Sequence, residues 1–226
     1  MRTTLLAVSA LTLAIAAPFA AAYQAGDIIV RAGAITVDPN ESSSDISVGG
    51  SNLNGEKANL DSDTQLGLNF AYMVTDNVGI ELLAATPFEH NVGVKGSTVN
   101  SLVPSGDLGS IKQLPPTLSA LYYPLDNNSA FQPYVGLGIN YTVFFDESLS
   151  SEARAASFSN LELENSWGLA AQVGMDYMLT DNVMLNAQVR YIDIETEATA
   201  DTALGKVKVD VDVDPWVYMV GLGYKF

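Results

Sequence analysis

Apolar residues in this chain recur at every second position, and after Ala22 no apolar run approaches the length of a spanning helix, about 20 residues. In TQLGLNFAYMVT (64–75), Leu66, Leu68, Phe70 and Tyr72 fall on one face and Gln65, Gly67, Asn69 and Ala71 on the other. Successive side chains of a strand point to opposite faces, so the segment reads as a strand with one apolar face. The same pattern returns in 131–145, where Val135, Leu137 and Ile139 alternate with Tyr134, Gly136 and Gly138. It also holds through 166–179, and through 216–226, where Trp216, Tyr218, Val220, Leu222, Tyr224 and Phe226 share a face.

Eight such segments are predicted, at about 26–38, 63–75, 78–89, 110–124, 131–145, 163–180, 183–197 and 211–226. Connections after strands 2, 4 and 6 are short; those after strands 1, 3, 5 and 7 are long and polar, and SSEARAAS (150–157) is a candidate helical turn within one of them. A soluble sandwich and a membrane barrel both alternate, but the barrel turns its apolar face to lipid and its small or polar face to the lumen. Here the polar face is rich in Gly and Ala, aromatics recur at strand ends, and loop lengths alternate, which selects the barrel. A sheet in hydrocarbon must also close, because each unpaired backbone group costs several kcal/mol there. The expected fold is all-β: an eight-stranded antiparallel transmembrane barrel with short periplasmic turns and long extracellular loops.

The N-terminus fits that compartment. MRTTLLAVSALTLAIAAPFAAAY carries Arg2, an apolar run from Leu5 to Ala17 and small residues at 20–22. It reads as a secretory signal peptide, residues 1–22, cleaved before Tyr23 to leave 23–226 as one barrel domain. There is no cysteine, so neither disulfides nor thiolates enter. Acids outnumber bases 26 to 10, which argues against a nucleic-acid partner. The 18 Phe and Tyr residues among many Val, Leu and Ile argue against disorder.

One phrase occurs twice, YMVTDNV at 72–78 and YMLTDNV at 177–183. Each spans a short turn between strands separated from the other pair by an even number, so both turns face the periplasm. The Asp–Asn pair suits a tight turn, and Tyr72 and Tyr177 suit the lipid interface.

Several stretches resemble the OmpW family of small outer-membrane barrels: VRAG (30–33), QLGLNFAYMVTDNVGIELLAATPFEH (65–90), LPPTLSALYY (114–123), PYVGLGINYTVFFD (133–146), SWGLAAQVGMDY (166–177) and DPWVYMVGLGYKF (214–226). ELLAATPF and LPPTL are the specific ones. The resemblance implies an eight-stranded barrel with a small interior and uptake of small hydrophobic molecules. Members can carry an aromatic where this chain has Arg190, a lumen-facing cation open to pairing with loop acids or to an anionic amphiphile.

Face assignment places Arg31, Glu81, Asp176 and Lys225 inside near the short-turn end, an expected ionic cluster acting as a plug or as a gate. Higher up, Leu83, Leu121, Val217, Met219 and Phe144 are expected to form an apolar constriction, with Gln172, Gln188 and Arg190 as polar lumen residues. Pro87, Pro115 and Pro116 interrupt neighbouring strands 3 and 4, so a lateral opening into the bilayer is expected there. The expected partners are outer-membrane lipid and lipopolysaccharide, small hydrophobic solutes, and the barrel-assembly machinery through the C-terminal Phe226. No cofactor is expected. Asp210, Asp212 and Asp214 read as solvated charge rather than metal ligands. His90, the single histidine, reads as a loop residue with no nucleophile constellation around it, so no catalysis is expected. The rival function is a structural or surface-interaction barrel acting through its acidic loops.

Overall fold

The computed structural model describes residues 22–226 except 54, 56, 97–100 and 102. Apart from Ala22, the expected leader lies outside the described residues. In chain order the strands are β1 (Ile28–Asp38), β2 (Ser42–Ser43), β3 (Ile46–Val48), β4 (Ser51–Leu53), β5 (Lys57–Leu60), β6 (Asp63–Met73), β7 (Val78–Ala85), β8 (Phe88–Lys95) and β9 (Asp107–Leu114). Then follow β10 (Thr117–Tyr122), β11 (Phe131–Leu149), helix α1 (Ser151–Ala155), β12 (Ser159–Leu163), β13 (Ser166–Met178), β14 (Val183–Ile192), β15 (Glu195–Thr202), β16 (Gly205–Asp212) and β17 (Trp216–Lys225).

Eight of these close an antiparallel ring: β1, β6, β7, β10, β11, β13, β14, β17 and back to β1. The closing seam runs from Ile29↔Lys225 to Asp38↔Trp216. Along it Gly33 faces Gly221, and a Cβ on either would collide with backbone across the seam, at the Val220 or Ala32 carbonyl. Leu66, Phe70, Leu137, Leu169, Val220 and Leu222 are exposed on the outer wall, the surface that meets lipid. Aromatics bound this band above, where Tyr141 packs on Trp167 and Tyr191 on Trp216, and below, where Tyr224 packs on Phe226.

The two copies of the repeated phrase build the same turn. Val74 N–H and Thr75 N–H donate to Val78 O, as Leu179 and Thr180 do to Val183 O. In each copy the threonine Oγ1 accepts from the backbone N–H of the Asn and of the following Val. Threonine therefore does the turn-closing work expected of the Asp–Asn pair. The asparagines reach outward instead: Asn77 Nδ2 donates to Tyr123 O, and Asn182 Nδ2 donates to Lys225 O, tying down the C-terminus.

Five of the expected strands span two strands each. The third stops at Ala85 and restarts at Phe88; the fourth stops at Leu114 and restarts at Thr117, because proline supplies no ladder donor. Segments 163–180, 183–197 and 211–226 also divide, at 164–165, 193–194 and 213–215. Above these breaks the chain is not loop but sheet. The order β5-β8-β9 continues from the upper part of β11, and a separate sheet runs β12-β15-β16-β3-β4 with β2 on β16. The inner faces of the two carry one apolar core, including Ile46, Val92, Leu108, Leu161, Val209 and Val211. α1 sits where the helical turn was expected, with Ser150 as its N-cap.

Candidate functional site

The lumen is built in layers, and the inward residues of each strand determine them. At the periplasmic end Tyr23, Ile29, Met73, Leu121, Tyr123, Tyr134, Met178 and Met184 pack together. Tyr23 enters from the N-terminal segment, its ring 4.9 Å from Tyr123, which lies 5.2 Å from Tyr134. Gly174 makes room for Tyr134: a Cβ there would strike the ring.

Directly above is a charged layer with almost no solvent access. Arg31 donates through Nη1 to Glu81 Oε2 at 2.9 Å, and through Nε and Nη2 to Asp176 at 3.0 and 2.6 Å. Its Nη2 also donates to Tyr123 Oη at 2.7 Å, and its Cζ sits 5.4 Å from the Tyr134 ring centroid. Asp176 accepts further from Tyr23 Oη at 2.7 Å and Asn186 Nδ2 at 2.9 Å. Glu81 is shared, since its Oε1 accepts from Arg190 Nη2 at 2.8 Å and from Gln172 Nε2 at 3.1 Å. Gln172 Oε1 in turn accepts from Arg190 Nε at 2.9 Å. Two guanidiniums and two carboxylates thus balance in a site where lone charges would be very costly.

Arg31, Glu81 and Asp176 come together, and Lys225 does not join them. It stands opposite Ile29, two residues nearer the rim than the Arg31↔Gly223 pair, roughly 7 Å lower at strand rise, and its Nζ is 3.9 Å from Asp27. Arg190 takes its counter-ion from Glu81 inside the barrel rather than from loop acids. Gln188 lies near the same level, accepting from Tyr134 Oη at 3.0 Å.

Above the charges the lumen turns apolar. Leu83, Val217, Met219 and Phe144 are buried in the upper core with Ile35 and Ile192. Leu121 is not among them. It pairs with Gly79 and Gly136, below the Glu81↔Ser119 pair, and so belongs to the periplasmic cluster. Higher still, between the two extracellular sheets, a cavity of about 380 Å³ is lined by Ile46, Leu60, Val94, Phe158, Leu161 and Val209, among others. Sequence reading missed this cavity, having taken its walls for polar loops.

The three prolines lie at one height in the wall. β7 pairs with β10 up to Leu83↔Thr117, and β8 with β9 from Phe88↔Gln113; residues 84–87 and 114–116 between them form no ladder pairs with one another. On its other side Pro116 is held, its carbonyl accepting from Tyr141 N–H and Asn140 Nδ2, both at 3.1 Å. The interruption therefore lies on the β7–β8 side of that proline pair.

His90 is not a loop residue. It lies on the inner face of β8, fully buried, 6.5 Å from the Phe88 ring. Its Nδ1 donates to Asp61 O at 2.6 Å, so its Nε2, 2.8 Å from Gln113 Nε2, accepts, and the ring is held neutral. It stands above the lipid-facing band, and burial lowers its pKa below the usual histidine value. Asp210 and Asp212 point outward from β16, and no group of three potential metal ligands occurs among the described residues. Asp214 instead braces the top of the barrel wall, accepting from Tyr191 Oη at 2.9 Å and Ile194 N–H at 3.2 Å.

Comparison with known proteins agrees with this architecture. Outer membrane protein W of Vibrio cholerae is 50% identical over 205 residues, 91% of each chain. The crystal structure of OprG from Pseudomonas aeruginosa superposes with a TM-score of 0.86 at 55% identity, covering 90% of this chain and 97% of that one. Further off, the dibenzothiophene metabolism operon protein PahQ of Pseudomonas aeruginosa is 24% identical over 186 residues, 82% of each chain. The OmpW family matches residues 24–226, nearly the whole chain. With its closed eight-stranded wall, lipid-facing apolar band and layered lumen, this chain belongs to the OmpW family of integral outer-membrane β-barrels.

Proposed function

We propose that this barrel takes up small apolar molecules from outside the cell, holds them in the extracellular cavity, and releases them sideways into the bilayer. The observation that carries this reading is where the apolar path ends. It descends from the cavity to Leu83 and Met219 and meets the buried layer of Arg31, Glu81, Asp176 and Arg190. An apolar solute gains nothing by entering that layer, and separating its ion pairs is costly. The pairing gap at Pro87, Pro115 and Pro116 lies just above it, and in this reading it is where the solute passes to the lipid. A relative named for a dibenzothiophene metabolism operon fits the same solute class.

The other parts of the reading follow from position. The leader, residues 1–22, is removed on export, leaving Tyr23 to close the periplasmic end. Phe226, exposed and anchored by its N–H to Ile28 O, is the feature the assembly machinery meets. Acids on the outer faces of β15 and β16 face lipopolysaccharide and its divalent ions. The protein acts without catalysis, since His90 is committed to Asp61 and Gln113.

Uptake of a labelled apolar compound by liposomes containing the protein tests the reading. Wild type is expected to exceed protein-free liposomes, and a variant with Pro87→Val, Pro115→Val and Pro116→Thr, which lets the ladder zip, is expected to lose most of that gain. Unaltered uptake in the variant sinks the lateral exit. No uptake by the wild type favours a structural barrel acting through its acidic surface.

A further inference from the structure

Most polar groups of the charged layer satisfy one another, but atoms of four side chains do not. Among the described residues, both amide atoms of Asn69, Ser119 Oγ, Asn186 Oδ1 and Arg190 Nη1 are buried without a hydrogen-bond partner. Asn186 is already engaged through its Nδ2 with Asp176; Asn69, Ser119 and Arg190 point inward and are at most 2% exposed. They border the same carboxylate. Ser119 is the cross-strand partner of Glu81, Asn69 is diagonal to it through the Ala71↔Glu81 pair, and Arg190 is ion-paired to it. Buried polar groups are normally satisfied, so a cluster left open around one carboxylate points to a guest.

The chemistry of that guest is constrained from three sides. Arg190 Nη1 offers a donor only, while Asn69 and Ser119 each offer a donor and an acceptor. The guest therefore brings an acceptor, and gains more if it can also donate. Leu83, the cross-strand partner of Asn69, and Met219, Ile35 and Val217 belong to the apolar core that packs above, so the rest of the guest is a hydrocarbon. The charges of the layer are already balanced, two against two. A carboxylate or ammonium group would leave a net charge buried in low dielectric, which is strongly disfavoured. An alkane would leave every open group unpaired.

We propose that Asn69, Ser119 and Arg190 form a binding site for a neutral oxygen-bearing end group, above all the hydroxyl of an aliphatic primary alcohol, whose chain lies between Leu83 and Met219. The hydroxyl accepts from Arg190 Nη1 and donates to Asn69 Oδ1 or Ser119 Oγ. The site discriminates among otherwise apolar molecules and rests on the reading that such molecules reach the lumen from above.

Nuclear magnetic resonance of the full barrel in lipid nanodiscs tests the site directly, with 1-octanol, n-octane and octanoate as probes. The side-chain amide signal of Asn69, identified by its loss in Asn69→Leu, is expected to shift with 1-octanol and to stay with octane and octanoate. The rim amide of Asn182 serves as the control for general lipid effects. In a Ser119→Ala/Asn69→Leu variant, which keeps every ion pair, the preference for 1-octanol over octane in liposome uptake is expected to fall about tenfold, the worth of roughly one hydrogen bond. If 1-octanol leaves the Asn69 amide unmoved, or octane moves it equally, the groups hold only water and the proposal is overturned. An amide shift larger for octanoate overturns the neutral-head assignment. Absence of any liposome uptake with the amide shift intact overturns the transport reading and leaves the site standing.

Discussion

The two halves of this barrel use the same period-two code with opposite contents. Along β14 and β15 the even residues face inward throughout. Below, they are Asn186, Gln188 and Arg190, with Leu185, Val189 and Tyr191 outward; above, they are Ile192, Ile194, Ala198 and Ala200, with Asp193, Glu195 and Glu197 outward. The returning strands mirror this: Val209, Val211 and Val213 face in above, and Trp216, Tyr218 and Val220 face out below. Parity never breaks; polarity inverts where the wall leaves lipid for water. The lower half puts its polar groups inside because lipid surrounds it, and the upper half puts apolar groups inside because water does. The consequence is a lumen with a charged floor beneath an apolar chamber.

Disturbing the floor should have the largest effect. Glu81 alone bonds both guanidiniums, so Glu81→Ala leaves two buried cations short of an anion and is expected to cost about 3–5 kcal/mol, the range for breaking buried pairs. Glu197→Ala, which removes the solvent-screened Lys208–Glu197 pair of the upper half, is expected to leave stability nearly unchanged. The midpoint of heat-induced unfolding in detergent compares the two; similar losses would erase the distinction between the halves. Single-channel conductance of Glu81→Ala separates the roles of the cluster. A rise marks a gate, and an unchanged value with lower stability marks a plug.

Next comes the lower seal. Tyr23→Phe keeps the ring against Tyr123 and removes the hydrogen bond to Asp176, an expected loss of about 1.5–3 kcal/mol for a bond to a charged group. Tyr23→Gly also removes the ring and is expected to raise ion leakage, measured as conductance, where Tyr23→Phe does not.

The upper half is tested by reversing its code. Val209→Asp puts a carboxylate into the apolar cavity and is expected to lower uptake of an apolar compound by at least about tenfold, since a buried unpaired charge is so costly. Asp210→Val, one residue away on the outer face, is expected to leave uptake unchanged. Equal effects would mean that the cavity is not on the solute's path.

Much of this was open to reading from the chain. The strand faces followed from alternation, and with them the inward placement of Arg31, Glu81 and Asp176. Heights followed less well, because barrel strands are staggered and residue counts from a turn do not translate into a common level; hence Leu121 and Lys225 lie lower than expected. The cavity was missed for a different reason. GKVKVDVDVD (205–214) alternates as cleanly as any membrane strand, but its charges left 205–210 outside the expected strands. The inversion of polarity at unbroken parity was the available signal. Tyr23 left no such trace, because a residue outside the strands has no periodicity to place it.

The smallest expected effect belongs to His90, the titratable base of the upper half. Burial lowers its pKa below the usual value near 6.5, while the unfolded chain titrates normally. Between those two values the unfolded state holds more protons, so stability is full above about pH 6.5 and declines as pH falls toward the depressed folded value. Protonation would also turn Nε2 into a second donor facing Gln113 Nε2, so the glutamine amide would have to flip to keep a bond. Unfolding midpoints between pH 7.5 and 5.5 should therefore fall for the wild type and stay flatter for His90→Gln. Parallel curves would place the pH sensitivity elsewhere than in the wall of the upper chamber.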